Sequence, residues 1–183
     1  MEHPYNTPKE EDIAGVKCAA IDPFLPDAAT LTAEYCVKHQ VPYVTIDCAY
    51  DSYLAKHCAV AVISEEFILG AYSGREKEEL LQKYMKAGDG LYIITSGSKK
   101  VLYGRNGTLK EKMPFRVKAL STLGAGDTFK CGCVYGLYQG MDDDKMVEFA
   151  CALAGCACSV YPLPENLPTL EMVQDLINTN SSN

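Results

Sequence analysis

The segment "STLGAGDTF" at residues 121–129 contains residue types that can bind and transfer a phosphate group. Glycine lets a backbone approach an anion closely because it has no Cβ, and the first turn of a helix offers free N–H groups and a partial positive charge. Gly124, Ala125 and Gly126 therefore form a candidate anion hole. Asp127 follows at its edge, where a carboxylate would repel a phosphate but could accept the proton of an attacking hydroxyl. This pattern favours phosphoryl transfer with Asp127 as the general base.

The same residues also suit a structural role. Gly-Ala-Gly can form a tight turn, and Asp127 can serve as the N-cap of the helix that follows. The short pattern GxGD is not specific, and the sequence contains neither a GxxxxGK[ST] P-loop nor a GxGxxG motif after a predicted strand. The glycine loop considered alone leaves both interpretations open.

Alternating strands and helices are predicted around the glycine loop. This alternation is typical of an α/β domain with a largely parallel sheet, in which ligands bind where strands end and helices begin. A strand at 115–121 followed by a helix at 128–139 would be such a junction. The other predicted elements are strands or short apolar runs at 15–22, 41–47, 57–64 and 90–97, helices at 26–40, 74–88, 141–161 and 169–178, and a hairpin at 99–114 that turns at Asn106-Gly107.

The overall composition limits the class of partner. The chain of 183 residues suits one domain, and its net charge of −7 comes with scattered Lys and Arg rather than a basic stripe. We therefore expect a small-molecule partner, with no nucleic acid and no membrane. The polar start does not resemble a signal peptide and no apolar run is long enough to span a membrane, so a cytoplasmic location is expected. The predicted organisation is a polar lead-in at 1–14, one domain at 15–178 and a disordered tail at 179–183.

The nine cysteines raise the alternative of a metal-binding or redox-active protein. The pairs Cys131-Gly-Cys133 and Cys156-Ala-Cys158 are the candidates for such a site. Neither pair has the two-residue gap that is usual in zinc sites. The favoured interpretation is that these cysteines act as small buried apolar residues on closely packed helices.

The glycine loop resembles the C-terminal signature DTxGAGDxF of the ribokinase-like (PfkB) carbohydrate kinase family. This signature is much more specific than GxGD, and further segments resemble family motifs in the same order along the chain. They are "VTID" with the central strand that ends in Asp, "AVAVISEEFI" with the strand that carries the NxxE motif, "IITSGSKKVLYG" with the TxGxxG segment, "FACALAGCACSV" with the helix beside adenine, and "LPTLEMVQDLI" with the closing helix.

The resemblance implies a fold, an activity and a set of site residues. The fold would be a three-layer ribokinase-like α/β domain that lacks the family's N-terminal strands and lid. The activity would be transfer of the γ-phosphate of ATP, with Mg²⁺, to a hydroxyl of a sugar or nucleoside. The implied site has Asp127 as catalytic base, Gly124, Ala125 and Gly126 as anion hole, Thr95, Gly97 and Cys151 beside the nucleotide, and Glu65 or Glu66 on the magnesium side, acting through water.

Some positions depart from the family pattern. Ser121 stands where the signature has an Asp that helps to hold a monovalent cation, so the resemblance does not carry a requirement for that ion to this chain. Ser64 replaces the Asn of NxxE, and Phe67 falls where its Glu would be. Which of Glu65 and Glu66 acts on the magnesium side is therefore open.

The resemblance covers nearly all of this chain but only the C-terminal part of the family pattern. The remaining part would supply sheet strands, the lid and most sugar contacts, so a sheet cut there would expose an edge and apolar helix faces. The chain is therefore expected to be a fragment, the product of a truncated gene, or a half-domain that covers its edge as a homodimer. A non-catalytic nucleotide- or anion-binding remnant of such a kinase is the alternative function.

Overall fold

A six-stranded mixed sheet forms the centre of the fold in a computed structural model that describes residues 7–181. The strands lie side by side in chain order. The first four strands are parallel to one another. The fifth strand pairs antiparallel with the fourth, and the sixth pairs antiparallel with the fifth. The predicted α/β fold with a largely parallel sheet is confirmed. The strands are β1 Ala19–Ile21, β2 Tyr43–Ile46, β3 Val60–Ser64, β4 Leu91–Thr95, β5 Val101–Arg105 and β6 Thr108–Lys112.

Eight α-helices connect and cover these strands in the described part of the chain. Several begin as their sequences predict: Pro26 lies in the first turn of α2, and the side chain of Asp142 caps α7 by accepting from the N–H of Lys145. None of the described helices is both long and apolar enough to cross a membrane. The helices are α1 Glu10–Ile13, α2 Pro26–Lys38, α3 Tyr53–His57, α4 Glu65–Ala71, α5 Lys77–Ala87, α6 Ala125–Gln139, α7 Asp143–Cys158 and α8 Leu170–Ser181.

Helices lie on both faces of the sheet, which gives three layers. Along β3, Ala61 and Ile63 point into the core that α2 to α5 cover, whereas Val60 and Val62 point into the core that α6 and α7 cover. Because both faces are buried, this parallel strand is apolar on both sides rather than alternating apolar with polar. Helix α8 packs outside α7 and forms a smaller cluster with it.

Helices α6 and α7 pack against each other through small residues. A Cβ placed on Gly132 would lie 2.7 Å from the Cα and 3.0 Å from the Cβ of Ala150. The two backbones therefore approach more closely than a larger residue at position 132 would allow. From the same helix, Phe129 and Cys133 are buried against the sheet.

The hairpin of β5 and β6 turns where the sequence predicts. Asn106 and Gly107 have φ values of 51° and 78°, which match a turn type that favours these residues. Arg105 ties the hairpin to α7, because its Nε and Nη2 donate to the carboxylate of Asp143 at 2.9 and 3.1 Å. Its Nη1 also donates to the carbonyl of Asp89 at 2.9 Å.

The strand predicted at 115–121 is wrong. The segment joins no sheet strand and runs along α7 from the end of β6 to the start of α6. Phe115 and Val117 pack against α7, and the N–H of Leu120 donates to the carbonyl of Cys158 at 2.7 Å. The apolar side chains that suggested a strand are therefore buried against a helix.

Helices lie at both ends of the described part of the chain. Helix α1 lies within the predicted lead-in at 1–14, and its Glu10 accepts a hydrogen bond from Lys38 of α2 at 2.9 Å. Helix α8 continues to Ser181, into the segment at 179–183 that was predicted to be disordered. The first six residues and the last two lie outside the described part of the chain.

An apolar groove lies beside β1, which is an edge strand among the described residues. Phe24 is 88% exposed and Leu25 is 42% exposed. Together with Ala20, Ala28 and other residues they line a groove of about 300 Å³. Exposed apolar side chains next to an unpaired strand are typical of a surface that another segment or molecule covers.

Replacing Gly132 with alanine should destabilise the protein, although alanine normally favours a helix interior by about 1 kcal/mol. The added methyl group would meet the backbone of Ala150, so α6 and α7 would have to move apart. Urea unfolding should show a loss of about 1–3 kcal/mol in the free energy of unfolding.

Gly70 of α4 provides the matched control, because a Cβ there would have no neighbour within 4 Å. Gly70→Ala should leave stability unchanged or raise it by about 0.5–1 kcal/mol. Equal stability of the two variants would contradict the close packing of α6 on α7.

Candidate active site

Helix α6 runs antiparallel to the parallel strands, so its first turn lies at the carboxyl edge of the sheet. Lys130, near its start, donates to the carboxylate of Asp22 at 3.1 Å, and Asp22 directly follows β1. Lys17, which precedes β1, lies 4.9 Å from the ring centroid of Tyr138 near the helix end. The first-turn N–H groups of α6 therefore share one edge with the residues that follow β1 to β4.

The glycine loop leaves free N–H groups at this edge. Gly124 is the N-cap in a left-handed conformation with a φ of 78°, and its carbonyl accepts from the N–H and the hydroxyl of Thr128 at 2.9 and 2.7 Å. The helix consequently begins at Ala125, three residues earlier than predicted. Among the described residues, the N–H groups of Gly126 and Asp127 have no acceptor, and a Cβ on Gly126 would point into open space. The N–H of Ala125, predicted to be part of the anion hole, instead donates to the carbonyl of Thr122 at 3.2 Å. This arrangement can bind an anion.

The carboxylate of Asp127 is exposed at the start of α6. Within the described part of the chain it has no hydrogen-bond or ion-pair partner. Its interpretation as an N-cap is wrong, because Gly124 is the N-cap and Asp127 is the third residue of the helix. The carboxylate is therefore free to accept a proton beside two unused N–H donors.

Hydrogen bonds join the residue after β2 to the last residue of β3. The carboxylate of Asp47 accepts from the N–H of Ser64 at 2.7 Å and from its hydroxyl at 3.0 Å. The same hydroxyl accepts from the N–H of Phe67 at 3.0 Å and so caps α4. Burial raises the pKa of Asp47 above its ordinary value, while the hydrogen bonds from Ser64 act in the opposite direction. Ser64 thus fixes the start of α4 relative to β2.

A positively charged cluster lies where β3 and β4 end. The ammonium group of Lys77 donates to the carboxylate of Glu65, and at 2.8 Å to the hydroxyl of Ser96. The ammonium group of Lys99 lies 3.3 Å from the same carboxylate. The hydrogen bond from Lys77 is the main cause that lowers the pKa of Glu65. Two ammonium groups face one carboxylate, which leaves the cluster with an excess positive charge.

The two predicted magnesium residues differ in what they can bind. Glu65 is held by two lysines, whereas Glu66 is exposed and has no ion-pair partner among the described residues. Those residues contain no group of three or more His, Cys, Asp or Glu side chains that could hold a metal ion. Mg²⁺ that binds together with phosphates needs only one or two carboxylates. The carboxylate of Glu66 is available for such a role, whereas that of Glu65 already pairs with Lys77 and Lys99.

Thr95 and Gly97, predicted to line a nucleotide, lie beside this cluster. Thr95 ends β4 and is paired in register with Ser64 of β3. Gly97 is exposed with a φ of 58° in a turn that is closed by the N–H of Lys99 and the carbonyl of Ser96, 3.0 Å apart. A backbone without a Cβ at this turn is open to close approach by a ligand.

Cys151 does not lie at this edge. It is 3% exposed in the core between α6, α7 and the sheet, and burial raises the pKa of its thiol to about 12. The predicted contact with a nucleotide does not fit this position, because the side chain offers almost no surface to a ligand. On α6, Cys131 is exposed whereas Cys133 is buried, so these two cysteines point to different sides of the helix.

Lys77 and Ser96 belong to the edge although neither is among the site residues that the sequence predicts. Lys77 opens an ordinary amphipathic helix, and nothing in its neighbourhood in the sequence separates it from other first-turn lysines. Ser96 directly follows β4, and that position was the available signal, since residues that follow parallel strands meet at one edge.

The edge as a whole combines two chemical functions. On one side of the edge, the start of α6 has N–H groups and a carboxylate without a partner in the part of the chain that the structure describes. On the other side, Lys77 and Lys99 share the carboxylate of Glu65 at the ends of β3 and β4. Such an arrangement can hold a polyanion and accept a proton from a hydroxyl that attacks it.

Comparison with known proteins identifies a family for this chain. The model of the pfkB family carbohydrate kinases matches residues 8–170. A curated relative, the 5-dehydro-2-deoxygluconokinase of Bacillus subtilis, is 25% identical over 171 residues, which cover 85% of this chain and 53% of the relative. The chain thus spans about half the length of the curated relatives that it matches over most of its own length.

Solved structures share the fold. Arabidopsis thaliana ribokinase complexed with ribose and ATP superposes with a TM-score of 0.79 at 19% identity, covering 92% of this chain and 58% of the ribokinase. A candidate ribokinase II from E. coli in complex with ATP and Mg²⁺ gives a TM-score of 0.80 at 15% identity, covering 93% of this chain and 61% of the other. At these identities the likeness establishes the ribokinase-like fold.

Replacing Glu65 with glutamine should lower stability in a pH-dependent way. A carboxyl group whose pKa is lowered in the folded state stabilises it above the unfolded pKa, and this contribution is lost as the pH falls through the folded pKa. At pH 7, Glu65→Gln should therefore reduce the free energy of unfolding by about 0.5–1 kcal/mol, since the pair is partly exposed to solvent. The difference from the wild type should vanish well below pH 4.5, the ordinary value for this group.

Glu66→Gln is the matched control for this experiment, since its carboxylate lies on the same helix turn. Its stability should equal that of the wild type at each pH in urea unfolding. A pH-independent loss for Glu65→Gln would contradict the ion pair with Lys77.

Proposed function

Because this chain belongs to the pfkB family of carbohydrate kinases, we propose that it transfers the γ-phosphate of ATP to a hydroxyl of a sugar or sugar-like small molecule. One observation carries this proposal: among residues 7–181, the carboxylate of Asp127 and the adjacent N–H groups of the helix start have no partner. Phosphoryl transfer to an alcohol requires a base for the hydroxyl proton and donors that stabilise the transferred group, and the start of α6 can supply both.

The proposed substrate class is a small sugar or sugar acid. The curated relatives are named 5-dehydro-2-deoxygluconokinases, which makes 5-dehydro-2-deoxygluconate the first compound to test. Nucleosides belong in the same panel, because the fold also occurs in a nucleoside kinase of Burkholderia thailandensis solved with inosine.

In the proposed mechanism the chain's own groups handle a proton and a charge. Asp127 accepts the proton of the attacking hydroxyl, which makes its oxygen a better nucleophile. The N–H groups of Gly126 and Asp127 donate to oxygens of the transferred phosphoryl group and stabilise the charge that moves during transfer. The left-handed conformation of Gly124 starts the helix at this point and so positions both the carboxylate of Asp127 and these N–H groups.

We assign ATP to the carboxyl edge along Thr95 and Gly97. Mg²⁺, when bound with the nucleotide, neutralises charge on its phosphates. Glu66 is the residue that would face the ion, through water, since Glu65 is held by lysines. The alternative function is a non-catalytic nucleotide- or anion-binding remnant. It is supported by the altered motif positions Ser64 and Ser121 and by the part of the family pattern that this chain does not match.

A homodimer is part of the proposal, and the groove beside β1 supports it. Phe24 is almost fully exposed there next to an edge strand, and a second copy could cover both.

Sedimentation velocity should show a dimer that Phe24→Glu converts to a monomer. A wild type that stays monomeric over the accessible concentration range would contradict this pairing.

Replacing Asp127 with asparagine should slow turnover strongly while leaving ATP bound. Loss of a general base typically lowers the rate by about 10²–10⁴-fold. Turnover is measured as ADP formation with Mg-ATP and the substrate panel, and ATP binding by calorimetry. Asp27→Asn is the matched control, because Asp27 is also a first-turn acid of a long helix but lies on α2; its rate should equal that of the wild type.

The outcomes separate the two functions. Turnover that survives Asp127→Asn would remove Asp127 as the base. A wild type that binds ATP but phosphorylates no compound of the panel would favour the non-catalytic alternative.

A further inference from the structure

Lys77 reaches the carboxyl edge from the layer of helices opposite to α6. It is the first residue of α5, which covers the other face of the sheet. Its ammonium group lies between the residue that follows β3 and the residue that follows β4, since it donates to Glu65 and to Ser96. These strands are adjacent and parallel, so their carboxyl ends lie side by side, and the ammonium group lies at both of these ends.

The ammonium group of Lys77 is held in place, unlike that of its neighbour Lys99. The side chain of Lys77 is 27% exposed and has two hydrogen-bond partners, whereas that of Lys99 is 70% exposed and, among the described residues, pairs with Glu65 alone. The hydroxyl of Ser96 is itself buried, with the residue 4% exposed. A cation fixed in this way loses little side-chain entropy when a ligand binds.

The charge of the cluster suits an anion rather than a metal. Glu65 can neutralise one of the two lysines that share it, and the exposed carboxylate of its neighbour Glu66 pairs with neither lysine, so one ammonium charge remains for a ligand. An acidic residue that pairs with a lysine can orient it without cancelling its attraction for a phosphate, because an ammonium group has three donors and Lys77 uses two.

We propose that Lys77 is a phosphate-binding residue of this site, which Glu65 and Ser96 orient toward the nucleotide's phosphate chain. The proposal rests on the proposed nucleotide-binding function and adds a residue to it. Lys77 would supply from the β3–β4 side the positive charge that the N–H groups of α6 supply from the other. The hydroxyl of Ser64 is already hydrogen-bonded to Asp47 and to the N–H of Phe67. Lys77 rather than Ser64 would therefore contact the phosphates.

The test compares ligands that differ in their phosphates. Calorimetry on the full chain measures ATP, ADP, adenosine and inorganic tripolyphosphate with wild type, Lys77→Met, Lys77→Arg and Lys86→Met. Lys86 is the matched control, an exposed lysine near the other end of the same helix. Lys77→Met should weaken ATP and tripolyphosphate by about 10- to 100-fold, as expected for one charge-assisted hydrogen bond.

Adenosine binding should change less than about twofold in Lys77→Met, since adenosine carries no charge for the ammonium group to neutralise. Lys77→Arg should recover part of the ATP affinity because it keeps the charge, and Lys86→Met should bind like the wild type. Equal weakening of adenosine and ATP, or no weakening of either, would overturn the assignment. Thermal unfolding of each variant verifies that it is folded.

The two proposals can fail separately. A wild type without kinase activity whose ATP and tripolyphosphate binding depends on Lys77 would sink the proposed catalytic function and support Lys77. A wild type with kinase activity whose ATP affinity is unaffected by Lys77→Met would support the proposed catalytic function and overturn the assignment of Lys77. A wild type that binds neither ATP nor tripolyphosphate would overturn the assignment of Lys77.

Discussion

The direction of α6 relative to the parallel strands governs the rest of the candidate site. The helix dipole and the unused N–H groups are useful only at the edge where β1 to β4 end, and α6 lies antiparallel to these strands so that its start arrives there. Close contact between α6 and α7 at Gly132 holds the helix in this position. The base and the anion hole are therefore products of the packing of one helix on the sheet.

Charge is distributed unevenly along this edge. Asp22, Asp47 and Asp127 form an acidic side toward β1, β2 and α6, whereas Lys77 and Lys99 lie toward β3 and β4 beside the carboxylates of Glu65 and Glu66. A substrate hydroxyl that must lose a proton is suited to the acidic side, and a polyphosphate to the side that carries the two lysines. The proposed direction of transfer follows from this separation, since the phosphoryl group would move from the lysine side toward Asp127.

The groove beside β1 lies close to the candidate site. Phe24, which is 88% exposed, lies in this groove next to β1, an edge strand among the described residues. Asp22 follows the same strand and contacts Lys130 of α6. Whatever covers the groove would thus also lie near the acidic side of the edge, where the proposed sugar must enter.

The sequence by itself determined the local elements and the central motif. The alternating strands and helices, the Asn106-Gly107 turn and the glycine loop before a helix depend on neighbouring residues, and each is found near its predicted place. The strand predicted at 115–121 failed for a physical reason. The apolar residues of this segment indicate that it is buried, but they do not indicate whether a sheet or a helix covers it. In the structure, α7 covers it.

Only the tertiary structure decided which side chains meet at the edge. Lys77 contacts Glu65 across 12 residues and Ser96 across 19, and such contacts depend on how α5 lies on the sheet. The same holds for Cys151, whose motif position suggested a ligand contact until the packing of α7 placed it in the core. Periodicity along a chain specifies which face of an element is buried, whereas the partner on that face is set by the arrangement of whole elements in space.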